Sequence, residues 1–221
     1  MNTIIITKND LDKDNFYKKD CIGTYDNYEN TNVEMDENLG WVVFKKGIYV
    51  NGYVLAKSGS GIKAGEGIKA GLGIEAGEGI KAGWGIKAGW GIKAGSGIKA
   101  GSSIKAGWGI EAGEGIKAGE GIKAGWGIKA GEGIKAGRGI EAGLEITCKL
   151  SINIAYRIFA GLALWKKEVL DEEKTITCGK KENGEVCFGI LNETGMPDKM
   201  TSGKKVKVKL LGGEIVEGEI I

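Results

Sequence analysis

Residues 61–78 read G-I-K-A-G-E-G-I-K-A-G-L-G-I-E-A-G-E, and the phrase G-I-[K/E]-A-G-x recurs fourteen times between Gly61 and Gly143. Ser103 is the only replacement of the leading glycine. Isoleucine keeps the phase further, at Ile146, Ile152 and Ile158, so seventeen isoleucines stand six residues apart from Ile62 to Ile158. Leu164 and Leu170 are expected to extend that series. Two glycines in every six residues exclude an α-helix. The triplet I-K-A alternates apolar, charged, apolar, which is a short strand with Ile and Ala inward and Lys or Glu outward. The G-x-G that follows reads as a corner in which glycine takes backbone angles that other residues avoid. Short strands separated by regular corners make a β-helix in which each coil pairs with the next. Upstream, Val42, Ile48 and Val54 keep the six-residue spacing but stand two residues out of phase. The two extra residues are expected in a small loop at Lys57–Ser60.

The residue between the glycines decides how many hexads make one coil. Sorted by three, one column becomes Leu72, Trp90, Trp108, Trp126, Leu144 and continues to Leu162. A second holds Glu78, Ser96, Glu114 and Glu132, and a third holds Glu66, Trp84, Ser102, Glu120 and Arg138. Sorted by two, the columns are mixed. The clean apolar column selects 18 residues per coil and a triangular cross-section. The outward charges sort in the same register. Lys63, Lys81, Lys99, Lys117 and Lys135 form one column, and Lys69, Lys87, Lys105 and Lys123 form another that ends at Glu141. The third alternates Glu75, Lys93, Glu111, Lys129. Adjacent strands lie about 4.8 Å apart, so the alternating column is a ladder of favourable neighbours and the lysine columns are like-charge ladders.

The fold expected is therefore all-β: a triangular hexapeptide-repeat β-helix with an N-terminal cap or arm over residues 1–40, a solenoid over 41–170 and a C-terminal β-hairpin region over 171–221. The β-helix is expected to have about five to six coils of 18 residues. Near the N-terminus, Thr3–Thr7 is expected as a strand. Toward the C-terminus, Thr175–Cys178 and Val186–Ile190 flank Lys181-Glu-Asn-Gly184, a hairpin signal. Lys204–Leu211 and Glu214–Ile220 flank Gly212-Gly213, a second one.

Composition limits the chemistry. The 221 residues include 41 glycines, one proline and no histidine, with 31 basic and 29 acidic side chains for a net charge of +2. Without histidine there is no Ser-His-Asp or Cys-His catalysis and no histidine metal site. No apolar run reaches the ~20 residues of a membrane helix. The start, MNTIIITKNDLDKD, does not read as a secretory signal. Cys21, Cys148, Cys178 and Cys187 form no CxxC pair and read as reduced thiols of a cytoplasmic protein, with Cys178 facing Cys187 across the first hairpin as the alternative. No cofactor, no metal and no catalytic constellation is expected, so the chain reads as a binding protein rather than an enzyme.

The repeat resembles the hexapeptide-repeat β-helices, although Ala64 follows Ile62 by two residues where that family places its small residue four after the aliphatic one. Acyltransferases of that family use a histidine base, which this chain lacks. Polymer-forming β-helices of the bactofilin type are similar in architecture. The I-K-A-G runs, ending in Arg157-Ile158-Phe159-Ala160-Gly161-Leu162, look like the "IKAG" repeat proteins of Firmicute phages and mobile elements over residues 61 to about 190. Small proteins of such elements include inhibitors of host defence such as anti-CRISPRs. The resemblance thus implies a non-enzymatic inhibitor in a bacterial host, with a CRISPR effector or other defence nuclease complex as partner. The alternative is a self-assembling structural protein. Val206–Gly218 also resembles the strand-turn-strand of Sm-like or SH3-like barrels.

Two surfaces stand out as candidates. Leu72, Trp90, Trp108, Trp126, Leu144 and Leu162, with Trp84 beside them, are expected at a protein partner or a homodimer contact, because tryptophan is favoured at binding hot spots. The alternative is that a terminal segment of the chain folds over them. The lysine columns, Lys63, Lys81, Lys99, Lys117 and Lys135 together with Lys69, Lys87, Lys105 and Lys123, are either a solvated repeat face or a track for nucleic-acid phosphates, with tryptophan available for base stacking. The small net charge favours the solvated face.

Overall fold

The computed structural model describes residues 1–196 and, beyond them, the backbone of two strands, Lys205–Lys209 and Ile215–Glu219. Parallel strands stack into a triangular β-solenoid of about nine coils of about 18 residues, with three faces of ten, eight and eight strands; the count exceeds the five to six expected because segments on both sides of the repeat add strands to the faces. Strands 18 residues apart pair in register, as in Ile92↔Ile110 on one face, Ile98↔Ile116 on the next and Ile104↔Ile122 on the third.

Every isoleucine of the series from Ile62 to Ile158 is at most 1 % exposed, while the Lys or Glu that follows each one in the repeat faces outward. Burying an isoleucine contributes about 1.5–3 kcal/mol, so the inner ladder of isoleucine and alanine is the dominant stabilising feature. Leu164 and Leu170 leave the series. They are 96 % and 52 % exposed, because the chain departs from the coil after Ala163.

The first regular coil is two residues longer than the rest. Val42 pairs with Ile62, Ile48 with Ile68 and Val54 with Ile74, each twenty apart. The extra residues form the turn before Ser60, as expected. Buried Ser60 closes it: its hydroxyl donates to the Asp36 carbonyl at 2.6 Å and accepts the Leu39 N–H at 3.0 Å.

The repeat glycines hold their places for a reason other than the one expected from their conformational freedom. None of those between Gly61 and Gly143 has a positive φ. The glycine after each alanine is required by the coil beneath: a Cβ on Gly83, Gly89 or Gly107 would overlap the carbonyl oxygen of Gly65, Gly71 or Gly89. The glycine before each isoleucine is less constrained. A Cβ on Gly85 would stand 3.2 Å from the Ser103 carbonyl oxygen, and one on Gly91 3.4 Å from that of Gly109. Within the strict repeat this second position is the one that varies, at Ser103; beyond it both positions lose glycine, at Glu145, Ser151 and Arg157 and at Lys149 and Ala155.

Both ends extend the stack beyond the strict repeat. Asn2–Ile6, the strand expected at Thr3–Thr7, pairs in parallel with Thr31–Met35, which pairs with Val54–Ala56. Between them, single parallel bridges Phe16↔Val43 and Ile22↔Ile48 lay an irregular turn of chain against the first coil. The N-terminal segment therefore packs on the first coil, where Tyr25 and Tyr28 cover the outward side chain of Tyr49, and it leaves the tryptophan column exposed. Toward the C-terminus the first expected hairpin is not formed. Thr175–Cys178 pairs in parallel with Ile146–Cys148 and Ile190–Glu193, whereas Glu185–Phe188 pairs in parallel with Arg157–Phe159 on another face. The Asn-Gly signal is a corner of a further coil, with Gly184 at φ +85°. Cys178 and Cys187 consequently lie on different faces, and both thiols are free. The second hairpin is present: Lys205–Lys209 and Ile215–Glu219 pair antiparallel.

Candidate recognition face

The apolar column is a stack of aromatic rings along one corner of the prism. Its backbone forms a hydrogen-bonded ladder, with the N–H of Trp90, Trp108 and Trp126 donating to the carbonyls of Leu72, Trp90 and Trp108, each at 3.2 Å. That ladder sets the vertical spacing, and the rings then stack: Trp90 on Trp108 at 5.3 Å between centroids and 4° between planes, Trp108 on Trp126 at 5.8 Å and 17°. The three indoles remain 48–49 % exposed.

Two members named from the sequence are placed elsewhere. Trp84 sits on a different corner, hydrogen-bonded between Glu66 and Ser102, so it does not join the stack. Leu162 drops out of the column because the N–H of Gly161, at φ +87°, takes the Leu144 carbonyl at 3.1 Å. The ring that ends the stack is Trp165, 6.0 Å from Trp126. Nothing periodic marks Trp165, because it lies in the excursion between Ala163 and Thr175. A Lys166–Glu173 ion pair fastens that excursion, and its hydrogen bond holds the Glu173 carboxyl below the usual carboxylate range.

Beside the stack runs a groove of about 850 Å³. Its floor is glycine: Gly73, Gly91, Gly109 and Gly127. The tryptophans form one wall, and the alternating column Glu75, Lys93, Glu111, Lys129 forms the other. Strand pairing places these four charges on successive coils, and Glu111 and Lys129 approach to 3.8 Å. The groove spans six coils, from Tyr53 and Leu55 at one end to Glu145 and Thr147 at the other.

The lysine columns are assembled as expected, with Lys63↔Lys81, Lys81↔Lys99, Lys99↔Lys117 and Lys117↔Lys135 on one face and Lys69↔Lys87, Lys87↔Lys105 and Lys105↔Lys123 on the other. Several members already have partners. Lys69 lies 3.4 Å from the Tyr25 ring centre, Lys81 lies 4.3 Å from that of Trp41, and Lys123 pairs with Glu141 at 2.5 Å. The corner beside the first column carries Glu114 and Glu132 in the same shallow groove as Lys99, Lys117 and Lys135. In the middle of the tryptophan stack no ring face is open to a base. Both faces of Trp108 are taken by its neighbours and Trp126 is bounded by Trp165, so the middle of the stack presents ring edges.

Among the described residues there is no cluster of His, Cys, Asp and Glu able to hold a metal, and no helix long and apolar enough to cross a membrane. No protein-family model, curated protein or solved structure matches the chain.

Proposed function

We propose that this chain is a non-enzymatic binding protein whose rigid solenoid presents the Trp90–Trp108–Trp126 face to a protein partner. The observation that carries the reading is the half-exposure of three indoles stacked along a groove of about 850 Å³. Stacked tryptophans on a fixed backbone lose little freedom on binding, which is what a hot spot requires. Protein is favoured over nucleic acid because the middle of the stack presents ring edges and the column of Lys99, Lys117 and Lys135 is flanked by glutamates. The resemblance of the I-K-A-G repeat to phage and mobile-element proteins narrows the partner class to a host nucleic-acid-targeting defence complex, and that step rests on the resemblance alone.

The test is co-expression of the tagged chain with such defence systems, scoring phage or plasmid survival and the proteins recovered. The expected result is survival of the phage or plasmid against one system together with stoichiometric recovery of its nuclease subunit. Both should be lost when Trp90, Trp108 and Trp126 are changed to Ser. Recovery of the same proteins by the wild-type and Ser-substituted chains would overturn the role given to this face. Protection from none of the systems would overturn the defence assignment.

A further inference from the structure

We propose that the tryptophan face docks on the same face of a second copy of the chain, with the two solenoids running antiparallel about a two-fold axis between the coils of Trp90 and Trp108. This rests on the reading of that face as a recognition surface and adds the identity of one partner. The argument is charge complementarity. The ladder reads Glu75, Lys93, Glu111, Lys129 along the solenoid. Reversed and laid on itself about its own midpoint, Glu75 meets the partner's Lys129 and Lys93 meets the partner's Glu111, so all four charges find unlike partners.

Other two-fold arrangements pair fewer of the four charges. A two-fold axis along the solenoid leaves both copies parallel and sets Glu75 against Glu75 and Lys93 against Lys93. An antiparallel arrangement centred on the Trp108 coil sets Lys93 against Lys129 and Glu111 against itself. The favoured axis also bisects the groove, which has three coils on either side of it between Leu55 and Thr147. It keeps the apolar column over its counterpart, placing Leu72 opposite the partner's Trp126 and Trp90 opposite the partner's Trp108. At the ends of the groove, Leu55 faces the partner's Thr147 and Glu145 faces the partner's Tyr53. Six coils at about 4.8 Å, roughly 15–20 Å across, place the contact at the lower end of specific interfaces, the size class of weak and transient association.

An isologous interface uses every contact twice, so one reversed charge creates two like-charge contacts. The full-length chain should show a monomer–dimer equilibrium in sedimentation velocity and native mass spectrometry, weakened by salt. Lys93→Glu and Glu111→Lys should each weaken the dimer about tenfold or more. The double variant should restore it, because with both charges exchanged the two positions again meet unlike partners across the axis. Circular dichroism on each variant separates lost association from lost folding. Three results would overturn the inference: a monomer at every concentration, a dimer indifferent to the single reversals, or open-ended larger species. A strict monomer whose Trp variants still lose a host protein would sink the dimer while leaving the recognition face standing.

Discussion

The indoles of Trp90 and Trp108 lie face to face, 5.3 Å between centroids and 4° out of parallel, on consecutive coils of the solenoid. Their register is inherited from the hydrogen bond of the Trp108 N–H to the Trp90 carbonyl. Each aromatic pair adds about 0.5–1.5 kcal/mol beyond its buried area. Trp108 has two such neighbours and Trp90 has one. Trp108→Ala should therefore cost about 1–3 kcal/mol in chemical denaturation and Trp90→Ala roughly half of that. Trp108→Ala should also remove the exciton couplet of the stack from the far-ultraviolet circular dichroism. Equal costs for the two variants would contradict the stacking account.

The two glycines of each hexad differ in what they tolerate. A methyl group on Gly89 overlaps the Gly71 carbonyl oxygen, which belongs to the backbone and cannot swing aside. On Gly91 it stands 3.4 Å from the Gly109 oxygen, an ordinary contact. Gly89→Ala should cost about 3 kcal/mol or prevent folding, whereas Gly91→Ala should stay within about 1 kcal/mol. Thermal melts of the two variants decide the matter, and a smaller loss at Gly89 than at Gly91 would reverse it.

How much of this was readable beforehand follows from where each signal sits. Tandem repetition copies the inward isoleucines, the outward charges and the corner residues together, so the 18-residue period and the tryptophan column stood open in the sequence. The reason for glycine did not, because the overlap at Gly89 is with a residue eighteen positions away and leaves no local mark. The further coil was hidden by the excursion between Ala163 and Thr175, which breaks the period before Ile176 pairs with Ile146. Lys181-Glu-Asn-Gly184 has the composition of a hairpin turn, but the strands beside it find better partners in the coil already formed. Trp165 was missed for the same reason: it reaches the stack by tertiary packing and not by period.

The lysine columns make a claim about electrostatics that stability can check. Lys105 stands between Lys87 and Lys123 on adjacent strands. Like charges placed this way destabilise by a few tenths of a kcal/mol per pair, and opposite charges stabilise by a similar amount. Lys105→Glu should accordingly raise stability by about 0.5–1 kcal/mol at low salt, and the gain should shrink as salt screens it. A loss of stability at low salt would show that the lysines are held by something other than repetition.

The cysteines provide a probe of the last coils that needs no substitution. Cys148 and Cys178 point into the core on neighbouring strands, and burial pushes both thiols up, Cys148 from 9.0 to about 12. Cys187 is exposed and Cys21 half-buried. At neutral pH a thiol reagent should modify Cys187 quickly and Cys21 more slowly, and should leave Cys148 and Cys178 untouched until the chain unfolds. The sign of the pH dependence follows from the same shift. A folded-state pKa above the unfolded value means that only the unfolded chain releases its proton between about 9 and 12. Stability from this source is intact below pH 9.0 and falls as the pH rises toward 12. Denaturation midpoints of the wild-type chain and of Cys148→Ala, followed across that range, should show a steeper decline in the wild type. Parallel declines, or modification of Cys148 as fast as Cys187 at neutral pH, would mean that the final coils open far more readily than their packing implies.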